Sequence, residues 1–283
     1  MLPLHPFRIE RPRTVEEACT LLSQGGRPLA GGTDLLPNVK NGIEAPDLMV
    51  ALWDIEELKQ PLGALQTLRQ VGDTVPALRD CTRSVATPTI QRMGTLGGNL
   101  LLNSRCRWFN QSRFWREALP KGACLKCEGG THCFVAPRGS GCYAAHSADT
   151  VPVLWLLEAQ VELASVRGRR TLPVDRLHER ARDELLVRVI LPSDPPAIVF
   201  RKLRARAAID YPLLLTAVRE DGVAVLSAIG PRPLRVEVGT NPEAAGDAAY
   251  AACFPLDTHN APSTWRKHMV RVETRRAVQS LVG

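Results

Sequence analysis

The period of the apolar positions changes along the chain and divides it into helices and strands. Phe7-Arg8-Ile9 reads as a short strand. Thr14 then precedes Val15-Glu16-Glu17-Ala18, with a glutamate three residues on, which predicts a capped helix to about Leu22 or Ser23. Gly25-Gly26 ends it, and Arg27-Pro28-Leu29-Ala30 forms a strand that enters Gly31-Gly32-Thr33-Asp34-Leu35. A short polar helix or turn is expected at Pro37 to Asn41, a strand at Leu48 to Leu52, and a helix across Val75 to Val85, closed by Thr87-Pro88. After a second glycine run and a cysteine-rich stretch, Ser147-Ala148-Asp149-Thr150 caps a helix that includes Val153 to Leu157. Val161 to Val166 alternates as a strand, Gly168 turns it, and Arg170 to Val174 pairs back.

From Asp175 to Asp183 the chain becomes polar and charged, and a domain boundary is expected there. Strands follow at Leu185 to Leu191, Ile198 to Leu203, Leu213 to Val218 and Gly222 to Ile229, with a stiff loop at Pro192 to Pro196. Thr264 opens a C-terminal amphipathic helix whose expected apolar face carries Trp265, Met269, Val272, Ala277 and Leu281. Mixed helix and strand patterns over 283 residues predict an α+β protein of two domains.

Composition narrows the classes. The formal net charge is +7, yet no run of five Lys/Arg and no basic face with interleaved aromatics appears, so nucleic-acid binding is not expected. No window approaches a membrane span, and the first residues lack the apolar core of a secretory signal. A cytoplasmic location is expected, where clustered cysteines bind metal more often than they form disulfides.

Two glycine runs carry the first chemistry: Gly31-Gly32-Thr33-Asp34, and Thr95-Leu96-Gly97-Gly98-Asn99. Successive glycines let backbone N–H groups converge into an anion nest, and Thr33, Thr95 and Asn99 add side-chain donors. Neither run has Rossmann or P-loop spacing. Each alone is commonly just a turn; together they point to a phosphate-bearing nucleotide.

Five of the eight cysteines lie between Cys106 and Cys142. Cys124, Cys133 and Cys142 are evenly spaced as C-x8-C-x8-C, and Cys127 interrupts them. Spacing alone leaves structural zinc, with His132 and His146 as possible partners, and an iron–sulfur cluster equally open. Cys19, Cys81 and Cys253 are scattered and expected as buried small hydrophobes. No HExxH, Ser-His-Asp set or paired carboxylates appear, so no catalytic residue is assigned.

Leu29-Ala30-Gly31-Gly32-Thr33-Asp34-Leu35 and Met93-Gly94-Thr95-Leu96-Gly97-Gly98-Asn99-Leu100 together resemble the paired FAD-binding motifs of molybdenum hydroxylase flavoprotein subunits. Phe200 to Asp210 after Leu185-Leu186, and Trp265 to Val270 with Arg275-Arg276-Ala277, resemble the second domain of that family. The resemblance implies a two-subdomain, PCMH-like FAD-binding domain over 1–177. A C-terminal α+β domain like that of the carbon monoxide dehydrogenase flavoprotein would follow over 178–283. It assigns FAD contacts to Leu29, Ala30, Gly31, Gly32, Thr33, Asp34, Leu35, Thr95, Gly97, Gly98, Asn99 and Asp149, with Leu186 and Lys202 closing over the flavin ring. Two departures stand out, the short Lys59-Gln60-Pro61-Leu62 segment and the short Leu68 to Val75 stretch.

The cysteine stretch is an insertion of about forty residues, 103–146, between the second glycine run and Asp149. Its flanks, Cys106-Arg107-Trp108-Phe109-Asn110-Gln111-Ser112 and Cys142-Tyr143-Ala144-Ala145-His146, resemble the β subunits of 4-hydroxybenzoyl-CoA reductases, which carry an inserted [4Fe–4S] cluster. By that resemblance Cys106, Cys124, Cys133 and Cys142 are the ligands and Cys127 is the spare. The insertion is then expected beside the flavin. The implied role is an electron-transfer subunit, with a molybdopterin-binding large subunit, a [2Fe–2S] small subunit and ferredoxin as donor. Two alternatives stay open: a hydroxylase subunit that passes electrons outward, and a zinc-stabilised structural subunit without FAD.

Overall fold

A computed structural model describes residues 4–119, 124–126, 130–206 and 209–283. The chain groups into two compact units, each discontinuous in sequence: residues 1–101 with 157–195, and residues 102–156 with 196–283. Cys127, Ala207 and Ala208 of the sequence motifs lie outside the described residues.

The first unit begins with β1 (Arg8–Glu10), α1 (Val15–Ser23), β2 (Arg27–Leu29), α2 (Leu35–Lys40) and β3 (Leu48–Ala51). The Thr14 hydroxyl accepts the Glu17 amide at 3.1 Å and caps α1. β3 is the central strand of a parallel sheet ordered β1-β3-β2, and all four of its residues are buried, as a covered parallel strand requires. Next come α3 (Leu68–Thr74), α4 (Arg79–Arg83), α5 (Pro88–Gln91) and α6 (Leu96–Leu100). The helix expected across 75–85 is broken. Pro76 offers no amide hydrogen, so α3 stops before Val75, and a 3-10 turn at Pro76–Leu78 leads into α4. An antiparallel sheet ordered β5-β4-β6 completes the unit, from β4 (Gln160–Ser165), β5 (Gly168–Pro173) and β6 (Leu185–Ile190).

The short segment before residue 63 is tightly anchored. Leu62 adopts a left-handed φ of 59°, its carbonyl accepts the Val189 amide at 2.9 Å, and the Ala64 amide donates to the Val187 carbonyl at 2.8 Å. This turn ties residues 62–64 to β6.

The second unit holds α7 (Arg113–Glu117), α8 (Val151–Leu156), β7 (Ile198–Leu203), β8 (Leu214–Arg219), β9 (Val223–Ser227), β10 (Leu234–Glu237), α9 (Pro242–Ala252) and α10 (Ser263–Val282). The strands form an antiparallel meander ordered β10-β9-β8-β7. Leu214, Val218, Ala224 and Leu226 pack against Ala245, Ala249, Val270, Ala277 and Val278 of the two long helices. The mixed architecture bears out the expected α+β class. Among the described residues, no helix is long and apolar enough to cross a membrane. Cys19, Cys81 and Cys253 are buried and outside any disulfide, as expected.

The face of α10 differs from the expected one. Its buried residues are Arg266, Val270, Glu273, Thr274, Ala277 and Val278, while Trp265 is 43% exposed. Apolar periodicity could not find this face because two of its residues are charged. Arg266 is fully buried and its guanidinium donates to three carbonyls, Leu213 at 2.9 Å, Leu256 at 2.5 Å, and Ala228. Ala228 carries a left-handed φ of 63°, so the arginine clamps a strained turn to the helix. Glu273 is held by Arg201 at 2.6 Å and Arg276 at 2.8 Å.

Two outcomes follow for the second unit. Arg266→Met takes the donor from one buried and two half-buried carbonyls, and at ~1 kcal/mol for each, chemical denaturation should show a loss of about 3 kcal/mol. Burial pushes the His146 and His259 imidazoles down to about 4, with Arg266 adding to the effect at His259. The unfolded chain accepts protons near pH 6.5, so the stability from the neutral rings is complete above about 6.5 and is lost as pH falls towards about 4. At ~1.4 kcal/mol per unit this reaches at most about 3 kcal/mol per ring. Thermal melts between pH 7.5 and 4.5 should show the decline, and the double variant His146→Gln/His259→Gln should flatten it.

Candidate functional site

The two glycine runs, far apart in sequence, meet in the first unit. The Gly31 backbone lies against the carbonyl of Met93, so close that a Cβ on Gly31 would stand 1.7 Å from the Met93 oxygen. A Cβ on Gly94 would meet the Thr33 hydroxyl at 3.4 Å. Gly32 follows with a left-handed φ of 68°. This turns the chain from β2 into α2, whose Leu36 amide returns to the Gly32 carbonyl at 3.0 Å. Leu29 is buried with Val39 and Met49, and Leu35 packs against them, so the outer members of the first run anchor it to the core.

The amides of the two runs are used differently. Among the described residues, those of Gly31, Gly32 and Thr33 donate to no protein acceptor. The second run spends its amides internally: Leu96 on the Gln66 carbonyl at 2.8 Å, Gly97 on Ala64 at 3.0 Å, Gly98 on the Thr95 hydroxyl at 3.1 Å and Asn99 on the Thr95 carbonyl at 2.9 Å. The two runs, similar as sequence, thus differ in how their amides are used. The first run is an open donor nest, while the second is the capped start of α6 and acts as its wall. Sequence reasoning also missed Trp53, whose indole N–H donates to the Ala30 carbonyl at 2.8 Å and fixes the entry to the nest. A lone tryptophan after a strand gives no motif signal.

Leu186 is fully buried on β6, opposite Leu163. In the second unit Asp149, beside the start of α8, and Lys202, on β7, meet as a buried ion pair. Lys202 Nζ is 2.6 Å from Asp149 Oδ1, with both side chains 5% exposed. Two residues 53 positions apart in sequence are thus brought together at a cost that burial of both charges makes large.

The cysteine stretch also converges. Cys106, Cys124, Cys133 and Cys142 line one pocket in the second unit, with Trp108, Phe109, Lys126 and Phe134 among the other lining residues. None of the four is in a disulfide; Cys106, Cys124 and Cys133 are buried and Cys142 is exposed. The sulfurs already receive backbone donors: the Ala136 amide reaches Cys133 Sγ at 3.4 Å, and the amides of Trp108 and Phe109 act on Cys106. Burial raises the Cys106 thiol pKa, those amides lower it, and Cys142 and Cys124 raise it again as thiolate neighbours. Desolvation pulls the Lys126 pKa down, and the same sulfurs pull it up. Trp108 stacks on Phe134 at 5.4 Å, which orders this side of the pocket. Among the described residues, no three His, Cys, Asp or Glu side chains are close enough to grip a single metal ion.

A family model for the FAD binding domain in molybdopterin dehydrogenase matches residues 5–194. The chain is 25% identical to the aldehyde oxidoreductase FAD-binding subunit of Escherichia coli (strain K12), over 88% of this chain and 91% of the relative. It is 26% identical to the nicotine 6-hydroxylase medium subunit of Paenarthrobacter nicotinovorans, over 84% and 76% respectively. A chain of the solved carbon monoxide dehydrogenase from Hydrogenophaga pseudoflava superposes with a TM-score of 0.75 at 20% identity, covering 99% of both chains, and so shares the fold.

The geometry yields one test in this unit. Gly31→Ala forces the two runs apart, because its methyl meets backbone and not a movable side chain. The variant should keep its far-UV circular dichroism and lose FAD affinity at least tenfold, about 1.4 kcal/mol, read by flavin absorbance after gel filtration.

Proposed function

Because the chain belongs to the family of the FAD binding domain in molybdopterin dehydrogenase, we propose that it is the FAD-bearing electron-transfer subunit of a molybdenum-dependent oxidoreductase. The observation that carries this reading is the open nest of Gly31, Gly32 and Thr33 amides, walled by the second run. Converging backbone donors suit a diphosphate without a lysine. In this reading Leu29, Ala30, Asp34 and Leu35 shape the nest, while Thr95, Gly97, Gly98 and Asn99 hold its wall. By the resemblance, Asp149 is assigned to the flavin nucleotide, and Leu186 and Lys202 to the flavin ring. The domain limits of the resemblance, 1–177 and 178–283, differ from the two compact units, which part at residue 195 on the C-terminal side.

We further propose a [4Fe–4S] cluster on Cys106, Cys124, Cys133 and Cys142. Four thiols on one pocket, with backbone amides at Cys133 and Cys106, support it. N–H···S bonds of this kind stabilise thiolate ligands. When bound, FAD supplies an electron-accepting ring and the cluster one-electron transfer. The chain's own residues bind, orient and insulate these groups, and substrate chemistry is left to a partner. The partners we propose are a molybdopterin-binding large subunit and a [2Fe–2S] small subunit. The complex we propose is of the 4-hydroxybenzoyl-CoA reductase type, fed by ferredoxin, to which a chain of net charge +7 presents a favourable sign.

Iron, acid-labile sulfide and flavin analysis of the purified protein, with its absorption spectrum, tests both cofactors. One FAD and four irons per chain are expected, with iron lost in Cys133→Ser and flavin retained. Flavin without iron would remove the cluster from the reading. Iron that persists undiminished in Cys133→Ser would overturn the ligand set.

A further inference from the structure

We propose that Lys126 is a positioning residue of the four-cysteine pocket: its ammonium is a fixed positive charge that favours the more negative, reduced state of whatever the thiolates hold. This rests on the cluster reading above. Lys126 lines the pocket together with all four cysteines. Its Nζ is held from three directions, by Asn103 Oδ1 at 2.7 Å, Ser104 Oγ at 2.8 Å and the Ser104 carbonyl at 3.3 Å. It also lies 4.9 Å from the centre of the Phe109 ring, another pocket wall.

Three donors meet three neutral oxygens, so the ammonium is oriented while its charge is left uncancelled by them. Cys142, Cys106 and Cys124 are the negative groups that act on it most, and Arg105 is the like charge. Withdrawing an ammonium from water costs several kcal/mol unless an anion is near. Four thiolates and the cluster they hold are such an anion. One-electron reduction by a low-potential donor adds one further negative charge, with no bond broken and no proton needed. A cation held close to that charge stabilises the reduced form more than the oxidised form, and so raises the reduction potential.

The test uses the full-length protein with its cofactors: wild type, Lys126→Met and Lys126→Arg. Iron and sulfide are counted, and the cluster is titrated with dithionite through mediators, followed by electron paramagnetic resonance. Lys126→Met should make reduction roughly tenfold less favourable, a fall of ~59 mV for one electron, while Lys126→Arg should stay near wild type. Loss of iron in Lys126→Met with retention in Lys126→Arg supports the same role. Equal potentials in all three proteins overturn it, and so does equal loss of iron in both variants, since shape and not charge would then be what matters. A wild-type protein without iron sinks the cluster reading itself, and this inference with it, through a result distinct from any of these.

Discussion

The nucleotide half of the molecule depends on one contact of backbone with backbone, the Gly31 main chain against the Met93 carbonyl. Any side chain at Gly31 would occupy the space of that oxygen. The contact is held from behind by a ladder that uses no side chains. Gly94 accepts from the Leu68 amide, Gln66 from Leu96 and Ala64 from Gly97, while Ala64 in turn donates to Val187 of β6. The position of the second run is therefore transmitted from a sheet through main-chain bonds. Such a site tolerates wide drift in sequence, which fits a 25% identity to the Escherichia coli subunit over 88% of the chain.

Much of this was legible in the sequence because local rules agree with the fold. The strands at β2, β3 and β7, the Thr14 cap and the span of α10 all obey alternation or capping. What was not legible is set by tertiary partners. The buried face of α10 contains Arg266 and Glu273, and no apolar pattern reveals a charge that is satisfied by distant carbonyls or an arginine on another strand. The two glycine runs look alike as strings, yet Thr95 caps a helix and consumes the amide of Gly98, whereas the Gly31 run leaves its own amides open. Trp53 and Lys126 carry no motif at all; their roles come from which carbonyl or side-chain oxygen each indole or ammonium meets.

The cysteine stretch needs a separate physical account, because it has little apolar content with which to order itself. Its described part contains one short helix, α7, and two isolated bridges, Arg105 with Ala145 and Cys124 with His132. Order comes instead from polar and aromatic ties. Arg105 pairs through its backbone with Ala145, which closes the two ends of the stretch on each other. The Asn110 side chain accepts the Cys106 amide at 3.1 Å, and Trp108, Phe134 and Trp115 form a run of ring contacts. These ties bring the sulfurs to one pocket without a hydrophobic core.

Two lysines of the second unit are withdrawn from water by opposite means. Lys202 is cancelled by Asp149 at 2.6 Å, and the pair projects little net field beyond itself. Lys126 is met by an amide oxygen, a hydroxyl and a carbonyl, which orient it without removing its charge. A neutral pair is suited to holding a polar ligand in place. An oriented cation is suited to setting the energy of an added electron, because its charge favours the more negative of two states that differ by one electron. The placement of the carboxylate, beside one lysine and not the other, therefore sets two buried cations of one unit in different electrostatic states.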